Sequence, residues 1–189
     1  MNVQLRNFLV LFLLAFPAAQ ARADEYSDTI DVFRKAGESG QFFGKSYGYA
    51  VLPTIGKGGI GIGGAYGKGR VYARGAYVGD TSMAQLTVGF QLGGHAYSQI
   101  IFFEDKRAFD EFTGGNFEFG AQATAVAITA GASAQAGTTG PSAGAGTSQQ
   151  ASKTKASYHR GMAVFTVAKG GLMYEASIGG QKFSYDRKK

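Results

Sequence analysis

Gly48–Gly69 reads G-Y-A-V-L-P-T-I-G-K-G-G-I-G-I-G-G-A-Y-G-K-G. Apolar and aromatic residues make short β-rich runs here, and glycine interrupts them every few positions. Glycine weakens a strand and sits where the chain bends sharply or where another backbone comes close. So much glycine inside strand-like sequence predicts a strongly curved antiparallel sheet, closed or nearly closed. Closure also removes the edges that invite aggregation.

Working outward, the pattern predicts strands at Tyr47–Leu52, Gly59–Tyr66, Arg70–Tyr77, Met83–Gln91 and Tyr97–Phe103. Gly67-Lys68-Gly69 and Val78-Gly79-Asp80 are read as the turns between them. Further strands are expected at Asn116–Ala121, Thr124–Ala130, Met162–Val167, Gly171–Ile178 and Gln181–Tyr185. Two segments read as helix. In Asp24–Lys35, Tyr26, Ile30 and Phe33 form one apolar stripe, with Arg34 and Lys35 at the end that suits the helix dipole. In Asp105–Phe112, Phe109 and Phe112 share a face and Gly114 is the stop. A further helical turn is expected over Gln41–Lys45, with Phe42 and Phe43 inward. Gly131–Ser157 has no large apolar residue, so it predicts a mobile loop. The tail Arg187-Lys188-Lys189 is expected to be solvated.

One pattern returns. Thr54–Ile60 (T-I-G-K-G-G-I) recurs as Thr166–Leu172 (T-V-A-K-G-G-L), 112 positions later. At the same offset Gly67 falls on Gly179 and Arg70 on Lys182. This predicts two equivalent strand–turn–strand corners, each presenting a lysine beside a glycine pair.

The amino-terminal residues have the form of a leader. Arg6 supplies positive charge, Phe8–Phe16 is apolar, and small residues follow to Ala23. That is the pattern of a secretory signal peptide over 1–23, cleaved after Ala23, because the apolar run is well short of the roughly 20 residues a membrane span needs. The remaining 166 residues, 24–189, are expected to form one domain in the periplasm or outside the cell. There is no cysteine, so packing alone must hold the fold. The whole chain carries +6; without Arg6 and Arg22 it has 17 basic and 13 acidic residues, or +4. That mild excess permits an anionic partner. It is thinner than the dense basic patch of a nucleic-acid binder, and anionic lipid fits an exported chain better.

Catalytic patterns fail on inspection. Gly59–Gly64 formally matches G-x-G-x-x-G, but strand-like sequence follows where a dinucleotide site needs a helix. Gly56-Lys57-Gly58 lacks both the leading glycine and the Ser/Thr of a phosphate-binding loop. Gly140–Gly144 matches G-x-S-x-G inside the low-complexity stretch, without the strand and helix a nucleophile elbow requires. His95 and His159 have no cysteine or carboxylate cluster near them in sequence. No catalytic residue, metal or cofactor is expected.

The basic residues are more suggestive. Arg70, Tyr72 and Arg74 alternate on one strand face, with Val71 and Ala73 on the other; Lys57 and Lys68 are read as flanking turns. Lys169 and Lys182 form a second, smaller cluster through the repeat. A cation beside a tyrosine can grip a phosphate headgroup while the ring rests at the water–lipid boundary.

Gly48–Gly69 is similar to the start of the SYLF domain, also called the Ysc-type actin-binding domain family. Gln91–Phe103 (Q-L-G-G-H-A-Y-S-Q-I-I-F-F), Asn116–Ala127 (N-F-E-F-G-A-Q-A-T-A-V-A) and Gly170–Tyr185 (G-G-L-M-Y-E-A-S-I-G-G-Q-K-F-S-Y) extend the resemblance in order. It is to the exported bacterial branch. The resemblance implies phospholipid binding, with phosphoinositides the ligands of eukaryotic members and actin a partner of some fungal ones. An exported chain meets neither in its own compartment, so anionic phospholipid of the cell envelope is the expected partner. In eukaryotic members an amphipathic amino-terminal segment touches the membrane; here Asp24, Glu25, Asp28 and Asp31 oppose that role.

The reading is therefore a mainly β fold, a strongly curved antiparallel barrel or sandwich with short amino-terminal helices and one inserted helix. Its expected function is non-enzymatic binding of anionic phospholipid or a membrane surface. Lys57, Lys68, Arg70, Arg74, Lys169 and Lys182 are the candidates for headgroup contact, and Tyr66 and Tyr72 for the interface. The alternative is an envelope structural or protein-interaction module.

Overall fold

A computed structural model describes residues 18–89, 94–128, 156–169 and 177–189. Helix α1 (Ala18–Lys35) and the short α2 (Gly37–Gly40) precede β1 (Gly48–Ala73), β2 (Ala76–Gly89) and β3 (His95–Phe103). Helix α3 (Lys106–Thr113) follows, then β4 (Phe117–Glu118), β5 (Val126–Ile128), β6 (Met162–Lys169) and β7 (Lys182–Arg187). The sheet order is β4-β7-β2-β1-β3-β6-β5. All pairings are antiparallel except β5 with β6, which is parallel.

Strand β1 is one run of extended backbone folded upon itself. Its first arm, Gly48–Lys57, pairs with β3, and its second, Gly61–Ala73, pairs with β2. Gly59, at φ +145°, lies between the arms. The Arg74 amide donates to the Tyr47 carbonyl at 3.0 Å where the arms come together again. Glycine makes the close approach possible. A Cβ on Gly69 would stand 2.6 Å from the Val51 carbonyl oxygen, and one on Gly67 2.6 Å from the Ile55 side chain. Gly63, Ala65, Gly67, Gly69 and Val71 are the buried positions of the second arm. From Gly63 to Gly69 the inner side of this arm is thus built from glycine and alanine alone.

Curvature follows from connectivity as well. The two sheet edges, β4 and β5, are consecutive in sequence, and the residues from Glu118 to Val126 reach at most ~28 Å fully extended. With β1 counted as two arms, a flat sheet of this order would be roughly 34 Å wide. The sheet must curl, and it forms a half-barrel. Between its edges the chain stays tied to the β7 side, through Phe119 N–H to Gln181 O at 3.0 Å and a bridge from Thr124 to Ser177.

Both faces of the sheet are covered around β3. On the concave side, Leu52, Ile55, Val71, Met83, Tyr97, Ile101 and Phe103 pack with Phe112 of α3 and Phe183 of β7. On the convex side, Phe33 of α1 and Phe42 lie against Val51, Ile100, Phe102 and Phe165. This explains why β3 is buried from Tyr97 to Phe103 without alternation. The stripe expected on α1 is inward, with Phe33 fully buried and Tyr26 and Ile30 packed beside it. Helix α3 is capped by the Asp105 carboxylate, which accepts from the Ala108 amide at 2.8 Å.

Two expected turns and one expected helical turn lie elsewhere. Gly67-Lys68-Gly69 is not a turn but the middle of the second arm, paired with Thr81–Met83. Val78-Gly79-Asp80 lies within β2. The hairpin turn is Arg74-Gly75, both at positive φ (49° and 82°), and Arg160-Gly161 repeats it at 53° and 80°. Glycine alone misdirected the reading, because these glycines serve close packing rather than reversal. The helical turn expected at Gln41–Lys45 falls earlier, as α2, with hydrogen-bonded turns after it. The leader residues up to Pro17, the ends of the expected strands Met83–Gln91 and Thr124–Ala130, nearly all of Gly131–Ser157, and Gly170–Ala176 lie outside the described residues.

Candidate functional site

The second arm of β1 alternates between the two faces. Its buried positions face the concave core, so Ile62, Tyr66, Lys68, Arg70 and Tyr72 share the convex side. The structure brings four of the candidate residues together here: Tyr66, Lys68, Arg70 and Tyr72. Their environments differ. The Arg70 guanidinium lies 4.2 Å from the ring centroid of Tyr26 on α1 and 5.2 Å from that of Tyr77 on β2. It bridges helix to sheet. Tyr72 stacks on Tyr49 at 5.0 Å, and Tyr49 contacts Phe43 and Phe102. Burial raises the hydroxyl pKa of Tyr26 and Tyr49; Arg70 partly offsets this at Tyr26. Tyr66 is 53% exposed, and Lys68 is exposed with no salt bridge or hydrogen bond to a described residue.

The other candidates are dispersed. Arg74 sits in the hairpin turn, not on the strand face, with its guanidinium 5.3 Å from the Tyr47 ring. Lys182 begins β7 and pairs with Glu118 at 3.6 Å, both well exposed. Lys57 is on β1 rather than in a turn, opposite His95 in register. Lys169 ends β6 and donates to Thr54 Oγ1 at 2.7 Å and to Glu25 Oε1 at 3.3 Å.

Lys57 and Lys169 end their strands at the same end of the sheet but belong to opposite faces. An irregularity in β1 between Leu52 and Ile55 shifts its register. After it, Ile55 is in the concave core, and alternation puts Lys57 on the same side. In the second copy Val167 belongs to the convex core, and Lys169 with it. A one-residue slip inverts every side chain of a strand. The described residues of the repeat therefore do not occupy equivalent positions: Ile55 and Lys57 lie on one face and Val167 and Lys169 on the other.

Two residues that the sequence reading passed over stand out. Ile62 is 74% exposed and Leu86 85%. Leu86 is opposite Gly64 in the β1–β2 ladder, so both side chains lie beside Tyr66 on the convex face. The signal was present: Ile62 has the same parity as Tyr66 and Lys68, so placing the tyrosine outside places the isoleucine there too.

At the other end of the sheet an open cleft of about 740 Å³ is lined by residues including Tyr47, Tyr77, Phe109, Tyr185, Arg187 and Lys188. None of the eight candidates lines it. Among the described residues no group of three His, Asp or Glu side chains is placed to hold a metal ion.

These features define a half-barrel whose candidate chemistry lies on a sheet face rather than in a pocket. The chain belongs to the Ysc84 family, described as Las17-binding protein actin regulator, whose family model matches residues 84–189. It is also similar to beta cell expansion factor A of Aeromonas veronii, at 27% identity over 169 residues, covering 84% of this chain and 53% of that protein. The chain thus spans about half the length of that curated relative. The family match begins within β2, so Lys57, Tyr66, Lys68, Arg70, Tyr72 and Arg74 precede it and Lys169 and Lys182 fall inside it.

Proposed function

We propose that the protein is a non-enzymatic module that binds anionic phospholipid surfaces of the cell envelope, after export directed by residues 1–23. The observation that carries this reading is the charge along the chain. Ser39–Gly79 contains Lys45, Lys57, Lys68, Arg70 and Arg74 and no carboxylate, and Thr81–Phe103 contains no carboxylate either. These stretches supply both arms of β1, all of β2 but Asp80, and all of β3. Two of the nearby acids face basic residues. Glu25 meets Lys169, and Asp80 lies opposite Arg70 in register. Of the candidates on the second arm, Tyr66 and Lys68 remain outward. Each basic contact near an anionic surface contributes about 1 kcal/mol and is screened by salt.

The family's description as an actin regulator favours a second reading, a protein-interaction module. Co-sedimentation separates the two. The purified protein is mixed with phosphatidylcholine vesicles, with and without phosphatidylglycerol, at low and moderate salt. Binding to the anionic vesicles alone, weakened by salt and by Lys68→Glu, is the expected result. Absence of binding to either vesicle removes the lipid reading and directs the search to protein partners. The Lys57→Glu/Lys169→Glu double variant tests whether the end of the sheet shared by the two lysines contributes; normal binding by that variant leaves the convex arm as the whole contact.

A further inference from the structure

We infer that the protein docks by inserting the apolar end of the β1–β2 ladder into the bilayer, with Ile62 and Leu86 entering the acyl layer. This inference rests on the lipid reading above and specifies its geometry. Large apolar side chains exposed side by side on a well-paired sheet mark an interaction surface. Ile62, Leu86 and Tyr66 are such a group, at 74%, 85% and 53% exposure. Their order along the strand identifies the occupant. Moving up the convex face, the side chains are Ile62, then Leu86 opposite Gly64, then Tyr66, then Lys68, then Arg70. At 3.3 Å per residue, Ile62 lies ~13 Å and Leu86 ~7 Å below Tyr66, and Lys68 lies ~7 Å above it.

A bilayer has the same sequence of environments. Its hydrocarbon half-thickness is roughly 15 Å, and the polar zone adds about 5–8 Å on each side. Tyrosine partitions to the boundary, and lysine reaches the phosphates. A strand entering at a slant sets all four side chains at their own depths together. A second copy of the chain is a poorer occupant. Three apolar side chains fall well short of the roughly 800 Å² per partner of a stable interface, and two such faces would bring Lys68 toward its own copy. The absence of carboxylates from Thr81–Phe103 and Ser39–Gly79 leaves nothing on these segments to repel an anionic leaflet.

The chain has no tryptophan, so one introduced indole reports its own surroundings. Leu86→Trp and Ile62→Trp, each as a single reporter, are mixed with phosphatidylcholine–phosphatidylglycerol vesicles, with Glu111→Trp on α3 as the control. The expected result is a blue-shifted emission for the first two, quenched by lipids brominated on the acyl chain, and no change for the control. The Ile62→Ser/Leu86→Ser double variant should remain folded by circular dichroism and lose at least about tenfold in vesicle partitioning, since each buried aliphatic side chain contributes a factor of that order. Wild-type binding to anionic vesicles with both indoles still in water overturns the insertion and leaves the headgroup reading standing. No wild-type binding overturns both. A Leu86-dependent dimer in sedimentation, with no acyl quenching, overturns the insertion in favour of a second copy.

Discussion

Lys169 Nζ donates to Thr54 Oγ1 at 2.7 Å, so the lysine of one copy of the seven-residue repeat is bonded to the threonine of the other. The same ammonium reaches Glu25 of α1 at 3.3 Å, and Thr54 donates to that carboxylate at 2.7 Å. Three segments distant in sequence meet at this point. A lysine first read as a lipid contact is also a pin that holds the first helix on the convex face.

Arg70 is the second pin, through the Tyr26 ring. Both contacts are partly solvated, and such pairs contribute about 0–1 kcal/mol each. Lys169→Met and Arg70→Met should therefore change global stability by less than about 1 kcal/mol each. Their main effect should be on local opening, seen as faster amide exchange across Tyr26–Phe33 with the protection of β3 and β6 unchanged. Unaltered exchange in α1 for the double variant would show that Phe33 and Ile30 hold the helix unaided.

The inner side of the curve makes a sharper prediction. Gly69 faces the concave core with the Val51 carbonyl, the Leu52 side chain and the Thr81 methyl all within 3.0 Å of where a Cβ would be. Gly69→Val forces the two arms of β1 apart. Overpacking of this kind costs typically 1–3 kcal/mol, and more where the obstacle is backbone. Urea denaturation should show a loss at or above the top of that range. Gly75→Ala serves as the contrast: its Cβ meets nothing within 4 Å, and its cost comes from φ +82° alone.

These glycines also show what was legible in the sequence. Their density pointed to strong curvature, and the half-barrel has it. Their individual roles were not legible, because a glycine in a turn and a glycine under a neighbouring backbone look alike until the partner strand is known. The helices were readable from local signals: the stripe of Tyr26, Ile30 and Phe33, and Asp105 before Phe109 and Phe112. The parallel β5–β6 pair was not, since β5 has three residues and is placed by partners about forty positions away. For the site, alternation put Arg70 and Tyr72 on one face, but it grouped Arg74 with them and left Lys68 in a turn and Tyr66 on another strand. It could not reveal that Arg70 and Tyr72 are occupied by rings from other elements, or that a slip after Leu52 separates Lys57 from Lys169.

Inside the half-barrel, Gln99 and Gln181 exchange amide hydrogen bonds at 2.9 and 3.1 Å, and Gln181 also donates to the Tyr97 hydroxyl at 3.1 Å. Both glutamines are fully buried. Removing one partner strands the other in the core, at a cost of about 1–3 kcal/mol. Gln99→Leu and Gln181→Leu should each destabilise by that amount, and the double variant by clearly less than their sum, because it leaves no orphaned amide from the pair. A double-mutant cycle by chemical denaturation measures the coupling; strict additivity would mean that water replaces the missing amide.

The two Arg-Gly turns separate backbone strain from side-chain contact. Arg74 and Arg160 both occupy the left-handed region, at φ 49° and 53°, in two-residue loops joining Ala73 to Ala76 and His159 to Met162. Asn-Gly suits such a loop better, since asparagine adopts positive φ at lower cost than arginine. Arg160 makes no ring contact or ion pair with a described residue, so Arg160→Asn should stabilise the fold by about 0.5–1 kcal/mol. Arg74→Asn gains the same backbone relief but gives up the guanidinium above Tyr47. An exposed cation–π contact is worth about 0.5–1 kcal/mol, so its net change should be close to zero. The difference between the two variants, read from their urea midpoints, measures the Arg74–Tyr47 contact, and equal stabilisation by both would mean that the contact contributes nothing.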